Sequence, residues 1–252
     1  MAAAAERQHP QIMATPADDA RPILFVGDIQ GCAEELAALL AASGYRPGEH
    51  RLIPVGDTVN RGPDAPGVLA LLRQHGAEPI LGNHELHLLQ LAANGHVPSS
   101  VDKGHSAASQ LAAAGQWPSA LEWVRQWPNG HTGPGWIAIH AGLHPLLPLE
   151  TTPPAFLAHV RYCTAEGERP PFGDGNLEED PEGYAPWYAH YRGEATVFYG
   201  HWARQGLNLL ERVRGLDSGC VYGGPLSGYW WPERRLVQVP SRQPFRRLTE
   251  KA

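Results

Sequence analysis

The sequence is poor in cysteine and in basic charge, and it lacks any long apolar run. Its 252 residues include three cysteines, Cys32, Cys163 and Cys220. An odd number at such wide spacing suggests neither a disulfide framework nor a zinc knuckle, and it fits a reducing cytoplasm. No apolar run approaches the ~20 residues that a membrane-spanning helix needs. Lysine and arginine number 20 against 26 acidic residues, a formal net charge of −6. Without a basic excess, charge argues against duplex DNA as a partner. It leaves room for a small anionic substrate, because a bound cation supplies its own positive field.

What is present is enough apolar residue, 42%, to build one large core. We expect a single domain over residues 22–246. Residues 1–21 are rich in Ala, Pro and charge without a continuous apolar stretch, which predicts a disordered extension and not a signal peptide. Met13 offers a second candidate start.

Apolar runs alternate with helical spacing. Ile23 to Val26, Leu52 to Val55 and Ile80-Leu81 read as strands, and Glu34 to Ala42, Ala65 to His75 and Glu85 to Ala93 as helices. The interval is that of βαβ units, so a parallel core is expected. Val97 to Gln126 is Ala- and Trp-rich and reads as helical, a candidate cap over a site at about 97–127. Trp136 to His140 returns to strand character, Pro153 to Tyr162 to helix. Gly167 to Pro186 reads as a long loop. Thr196 to Tyr199, Gly215 to Asp217, Gly228 to Trp231 and Leu236 to Val239 read as antiparallel strands of a second sheet.

The chemistry lies at the strand ends, in Gly27-Asp28-Ile29-Gln30-Gly31, Gly56-Asp57-Thr58-Val59-Asn60-Arg61-Gly62, Gly82-Asn83-His84-Glu85, His140-Ala141-Gly142 and Gly200-His201-Trp202. In open α/β sheets ligands bind at the carboxyl ends of strands. Asp28, Asp57, Asn83, His140 and His201 bring carboxylate, amide and imidazole donors there, and Gln30 offers one more carbonyl oxygen. Donors without thiolate suit Mn²⁺, Fe or Zn²⁺. Asp57, central in the set, is the better candidate to bridge two ions. Six ligands for two cations describe a two-metal hydrolase, in which a metal lowers the pKa of water from ~15.7 to near ~7. His84, beside Asn83, suits a general acid or a group at the developing charge. Arg61 offers a planar fork to phosphate oxygens. Gly31, Gly62 and Gly82 let the backbone turn close to the ions.

Each word has a plainer reading. Gly-Asp after a strand is usually a turn, and Asn-His at a strand end is more often a cap; the ordered set of six is what points to metal. Elsewhere the plain reading holds. His9, His50, His75, His96, His105 and His131 read as surface residues, and His87 as packed or solvent-facing. Trp117, Trp123 and Trp127 read as core, and Cys163 and Cys220 as buried thiols. His144, after the His140 loop, is a candidate substrate contact.

These words resemble those of the phosphoprotein-phosphatase group of the calcineurin-like metallophosphoesterases, over Ile23 to Arg242. The resemblance implies an α/β fold of two stacked mixed β-sheets flanked by helices, with a helical insert and a dinuclear centre. It implies that Asp28, Gln30 and Asp57 bind the first metal and Asp57, Asn83, His140 and His201 the second, most often Mn²⁺, with Co²⁺, Fe or Zn²⁺ as alternatives. It makes His84 the acid and Arg61, with Asn60 beside it, a phosphate contact. Within the group the chain is similar to bacterial symmetrical diadenosine-tetraphosphate hydrolases, on Gly27 to Cys32, Gly56 to Pro63, His140 to Pro145, Arg161 to Thr164, Gly200 to Ala203 and Leu216 to Cys220. That likeness makes Arg161 a second phosphate contact and implies cleavage of a dinucleoside polyphosphate to two ADP in the cytoplasm.

Two departures bear on this. Gln30 stands where the superfamily has His, and an amide oxygen is a weaker and harder donor. Asn60 stands where protein phosphatases have Asp, which raises the pKa of the His acid by its charge. An anhydride leaves as ADP and needs less protonation than a serine alkoxide, so Asn60 favours anhydride hydrolysis. Three alternatives remain: a phosphatase of proteins or broad monoesters, removal of nucleotide caps from RNA 5′ ends, and a nucleotide sensor with little turnover.

Overall fold

The protein is seen as a computed structural model that describes residues 9–95, 98, 106–171 and 181–244. Among the described residues twelve strands occur in chain order: β1 Ile12–Ala14, β2 Ile23–Val26, β3 Arg51–Pro54, β4 Gly130–Gly133, β5 Trp136–Ile139, β6 Tyr162–Cys163, β7 Ala185–Pro186, β8 Thr196–Tyr199, β9 Asn208–Leu209, β10 Val213–Gly215, β11 Leu226–Trp231 and β12 Arg235–Val239. The helices are α1 Ala33–Ser43, α2 Ala65–Gln74, α3 Asn83–Ala93, α4 Ala107–Ala113, α5 Trp117–Val124 and α6 Pro154–His159.

Two mixed sheets dominate. One runs β12-β11-β2-β3, the other β1-β4-β5-β8-β10-β9, and β6 pairs with β7 alone. Strand side chains alternate between faces, and the sequence uses both. Ile23 and Phe25 of β2 point between the sheets, where they meet Trp136, Phe198 and Tyr229. The Phe25 and Phe198 rings stack at 3.8 Å. Leu24 and Val26 point the other way, onto a cluster that includes Leu36 and Leu39 of α1 and Val68 and Leu72 of α2. Outside the second sheet, Val197 and Tyr199 pack with Phe156 and Leu157 of α6 and with Trp187. The result is the expected sandwich of stacked mixed sheets between helical layers.

Several expectations fail for identifiable reasons. Residues 9–21 are not a disordered tail: β1 pairs in parallel with β4, Met13 opposite His131, and Gln11 N–H donates to the Asn129 side chain. Residues 1–8 lie outside the described residues. Ile80-Leu81 is extended but not a strand; Leu81 N–H bonds the Pro128 carbonyl. The C-terminal strands do not form one antiparallel sheet. β11 and β12 complete the first sheet, and β8 joins β5 and β10 in parallel in the second. Ala185–Pro186, read as loop, pairs with Tyr162–Cys163, and the middle of that loop, 172–180, is outside the described residues.

The described part of the 97–127 segment contains α4 and α5, whose Leu111, Leu121 and Val124, with Trp127 just after α5, join the core beneath α2 and α3. It reaches the site region through Ala107 N–H, 3.4 Å from Asn60 Oδ1. His131 is buried, against expectation, near Glu78 and Arg51, and His50 and His75 are half-buried around Tyr45. His87 and His9 are exposed, while His96 and His105 lie outside the described residues. All three cysteines are buried, and none forms a disulfide among the described residues. The fold joins two of them that sequence spacing kept apart: Cys32, at the start of α1, hydrogen-bonds Cys220, which pushes the Cys32 thiol up.

Candidate metal centre

Both sheets deliver donors at the same end. Asp28 follows β2 and Asp57 follows β3; His140, His201 and Asp217 follow β5, β8 and β10. Asn83 and His84 open α3, so their backbone sits at the helix N-terminus facing the carboxylates. His84 N–H donates to Asp57 Oδ1 at 3.0 Å.

Donor atoms of Asp57, His140 and His201 all lie within 4.8 Å of one another, and all three residues are buried. Asn83 Oδ1 stands 3.0 Å from His140 Nε2 and 2.8 Å from His201 Nδ1. The far ring nitrogens are anchored: His140 Nδ1 lies 2.9 Å from the Val55 carbonyl, and His201 Nε2 3.0 Å from that of His159. Such carbonyls take the ring N–H and leave the other nitrogen bare toward the centre. Asp28 accepts the His201 N–H at 3.0 Å. Gln30 Oε1 is buried without a hydrogen-bond partner, and its side chain lines the central cavity.

Three buried carboxylates, Asp28, Asp57 and Asp217, meet here. Burial, and then mutual repulsion, pushes Asp28 well above the usual carboxylate range. Burial pushes Asp217 up as well, with Asp57 adding to it. Asp57 goes the other way, well below the usual range; burial opposes this, but His140 and His84 outweigh it. An orphaned amide oxygen, crowded carboxylates and imidazoles turned inward are the donor set of a hard-cation site, and the residues present fit two divalent ions.

The loops are held by a residue to which the sequence assigned no role. Glu85, fully buried, accepts N–H groups of Asp57 (2.9 Å), Thr58 (2.8 Å), Val59 (3.1 Å) and Gly82 (2.9 Å), and the Thr58 hydroxyl (3.0 Å). Gly62 N–H bonds the Gln30 carbonyl at 2.8 Å, an approach so close that a Cβ on Gly62 would sit 2.1 Å from that oxygen. Backbone strain concentrates at the site. Six described non-glycine residues have positive φ, and five are Gln30, Asp57, Asn60, Arg61 and His201. Such strain clusters at functional sites, at about 1–3 kcal/mol each.

Asn60 Nδ2 lies 2.7 Å from His84 Nδ1, and Arg61 Nε donates to His84 Nε2 at 3.2 Å. Burial pulls His84 below its usual range, Asp57 opposes, and Arg61 adds to the depression. Arg161 donates to the His201 carbonyl at 3.1 Å. Arg61, Arg161, Gln30, Asn83, His84 and His201 border one cavity of about 580 Å³, counted with its open mouth. Two further residues border it that sequence reading missed, Asp217 and Tyr222. Asp217 carried the same signal as Asp28 and Asp57, a carboxylate just past an apolar run; Tyr222, whose ring lies 5.8 Å from the Arg61 guanidinium carbon, carried none.

His144 is the expected site residue that the fold directs elsewhere. Its Nδ1 accepts the N–H groups of Leu146 and Leu147 at 3.2 and 3.3 Å, its ring leans on Phe156, and it borders neither cavity described here. It shapes its own loop.

Residues 21–205 match the model of the calcineurin-like phosphoesterase family. A protein of Aromatoleum aromaticum named "Bis(5'-nucleosyl)-tetraphosphatase, symmetrical" is 31% identical, over 86% of this chain and 96% of that protein. One of the same name from Dechloromonas aromatica is 29% identical over 85% and 94%. A crystal structure described as a "putative diadenosine tetraphosphatase" superposes with a TM-score of 0.75 at 33% identity, covering 92% of this chain and 98% of that one. A yeast protein serine/threonine phosphatase, at 14% identity and a TM-score of 0.54, shares the fold.

Proposed function

The chain belongs to the calcineurin-like phosphoesterase family, and from that premise we propose that it is a metal-dependent hydrolase of phosphoric anhydrides that cuts diadenosine tetraphosphate at its central bridge to give two ADP. The observation that carries this is likeness over nearly the full length of proteins named for that reaction, in a chain whose candidate donors converge on one cavity. The Asn60–His84 contact supports it independently. Where an aspartate would charge-pair with the imidazole and keep it protonated, an amide sits instead, and an imidazole that is seldom protonated suits an anhydride whose leaving group needs little protonation.

Asp28, Gln30 and Asp57 would hold one cation, and Asp57, Asn83, His140 and His201 the other. Two divalent ions held there would neutralise phosphoryl charge and activate water at neutral pH. The chain's own residues do the rest. Arg61 and Arg161 hold phosphoryl oxygens at the cavity wall. When phosphate draws the Arg61 guanidinium away, His84 Nε2 is released from the hydrogen bond it accepts; a proton that it then takes up from solvent can pass to the leaving oxygen. Oxygen and imidazole donors without thiolate suit Mn²⁺, Fe or Zn²⁺, and of these Mn²⁺ is the ion proposed. No described helix is long and apolar enough to cross a membrane, and buried cysteines without a disulfide among the described residues suit a cytoplasmic enzyme. The relatives lend the RNA-cap reading no support.

The test is product analysis. Metal-stripped protein is incubated with diadenosine tetraphosphate, with and without Mn²⁺, and the nucleotides are separated by anion exchange. ADP alone, only with metal, is expected. AMP plus ATP would overturn the cut position. No product, from protein that still cleaves an aryl phosphate, would overturn the substrate.

A further inference from the structure

Beside the metal-lined cavity lies a second one of about 620 Å³, again counted with its open mouth. Asn60, Asn83 and His84 border both. From there the second runs along the outward face of α3, past Leu86, His87 and Gln90, with His159 across from them. We propose that this groove is a nucleoside subsite that takes the adenosine of the departing half of the substrate, with Gln90 and His87 on the base and Leu86 beneath it. The proposal rests on the anhydride-hydrolase reading above.

The two cavities differ in chemistry. The first carries Arg61 and Arg161 and suits phosphates. The described lining of the second holds no arginine or lysine; it offers a leucine, a primary amide and imidazoles. That is a poor phosphate site and a good purine site. A glutamine amide pairs with N6 and N7 of adenine, and an imidazole stacks on a base.

Geometry agrees. A symmetrical cut leaves one nucleotide on each side of the scissile bridge, so a site on each side is required. His84, the group placed to protonate the departing oxygen, is on the wall between the cavities. The departing half therefore leaves past His84 and into the second. On the surface of α3, Gln90 neighbours both Leu86, four residues before it, and His87, three before it. Gln90 is seven residues beyond Asn83, ~10 Å along the axis at 1.5 Å per residue, which places the amide past the phosphates and at the base. Leu86 is half-buried, and His87 and Gln90 are exposed, so the face is open to a ligand.

The test compares wild type with the His87→Ala/Gln90→Ala double variant, both loaded with Mn²⁺. The ratio of kcat/KM for diadenosine tetraphosphate to that for p-nitrophenyl phosphate, which has no nucleoside, is expected to fall at least tenfold, through KM. Calorimetry with ADP is expected to show two sites per wild-type chain, the weaker-held one lost or weakened tenfold in the variant. An unchanged ratio with unchanged ADP binding overturns the subsite. Wild type that cleaves only p-nitrophenyl phosphate overturns the substrate reading instead. The ADP titration then decides the subsite alone: a site lost in the variant keeps it, and identical isotherms remove it.

Discussion

Replacing Glu85 by Gln removes one charge and almost no volume, yet it is expected to loosen the whole centre. One carboxylate oxygen accepts the Asp57 and Gly82 N–H groups; the other accepts those of Thr58 and Val59 and the Thr58 hydroxyl. Five donors and no acceptor surround it. They require the ionised form, even though burial, followed by Asp57, pushes this carboxyl up. A glutamine must turn its NH₂ toward one of the two sets of donors. At least two buried N–H groups then lose their acceptor, at about 1–3 kcal/mol each, or about 2–6 kcal/mol together. For a chain of this size 1 kcal/mol moves Tm by about 2–4 °C, so a fall on the order of 10 °C follows, moderated by the relief of burying a neutral group. The strained backbone of Asp57, at φ +47°, loses its clamp, so the Mn²⁺ needed for half-maximal activity is expected to rise at least tenfold. Differential scanning calorimetry with and without Mn²⁺, and activity against Mn²⁺ concentration, read both quantities. A variant melting within about 2 °C of wild type, with the same Mn²⁺ dependence, would refute the clamp.

Gln30→Ala deletes a buried oxygen that has no partner. Metal-free Tm is expected to stay level or rise, while the Mn²⁺-induced rise in Tm shrinks; an undiminished Mn²⁺ effect would remove Gln30 from the ligand set. Gly62→Ala forces a Cβ to 2.1 Å from the Gln30 carbonyl, overpacking that costs about 1–3 kcal/mol. Urea unfolding is expected to show that loss together with weaker Mn²⁺ binding, and wild-type values in both would refute the contact. His131 has its pKa depressed to about 4 from 6.5, chiefly by burial. The unfolded chain takes up this proton below 6.5 and the folded chain only below about 4. Stability is therefore full above pH 6.5 and declines as pH falls toward 4, by up to about 3 kcal/mol at 1.36 kcal/mol per unit. Urea midpoints between pH 7.5 and 4.5 are expected to fall less in His131→Gln than in wild type; parallel curves would refute the assignment.

Much of this centre was legible because its signals are local. An apolar run followed by Asp or His places a donor at a strand end whatever the strand pairs with, and Asp28, Asp57, His140 and His201 stand at such ends; Asn83 instead opens α3, after a run that forms no strand. What escaped depends on pairings distant in sequence. The alternation in Thr196 to Tyr199 and in Gly228 to Trp231 is the same. Only the partners, β5 and β10 for one and β2 and β12 for the other, assign them to different sheets. Ile12–Ala14 looked like a tail because three residues carry no periodicity; its partner β4 lies more than a hundred residues away. Glu85 was visible as part of a motif, but a carboxylate on the first turn of a helix has an ordinary reading as an N-terminal cap. Its reach to the Asp57 loop appears only when β3 and α3 are brought side by side.

The backbone shows the limit most plainly. Gln30, Asp57, Asn60, Arg61 and His201 occupy left-handed conformations that local preference assigns to glycine. Glycine would relax the turn and provide no ligand. At these positions the demand for a donor side chain outweighs about 1–3 kcal/mol of strain per residue. Sequence rules built on local preference fail here because the site is held against that preference by contacts such as those of Glu85 and by the carbonyl of Gln30 on Gly62. Bound cations, by relieving the crowding of Asp28, Asp57 and Asp217, would make the strained arrangement the stable one. The apo protein should for that reason loosen first at these loops, while the inter-sheet core around Phe25 and Phe198 stays closed. Amide exchange faster at residues 28–31 and 57–62 than in β2 and β8, and slowed by Mn²⁺ at the loops alone, is the pattern this predicts. Uniform slowing across β2 and β8 would mean instead that the ions stabilise the fold as a whole.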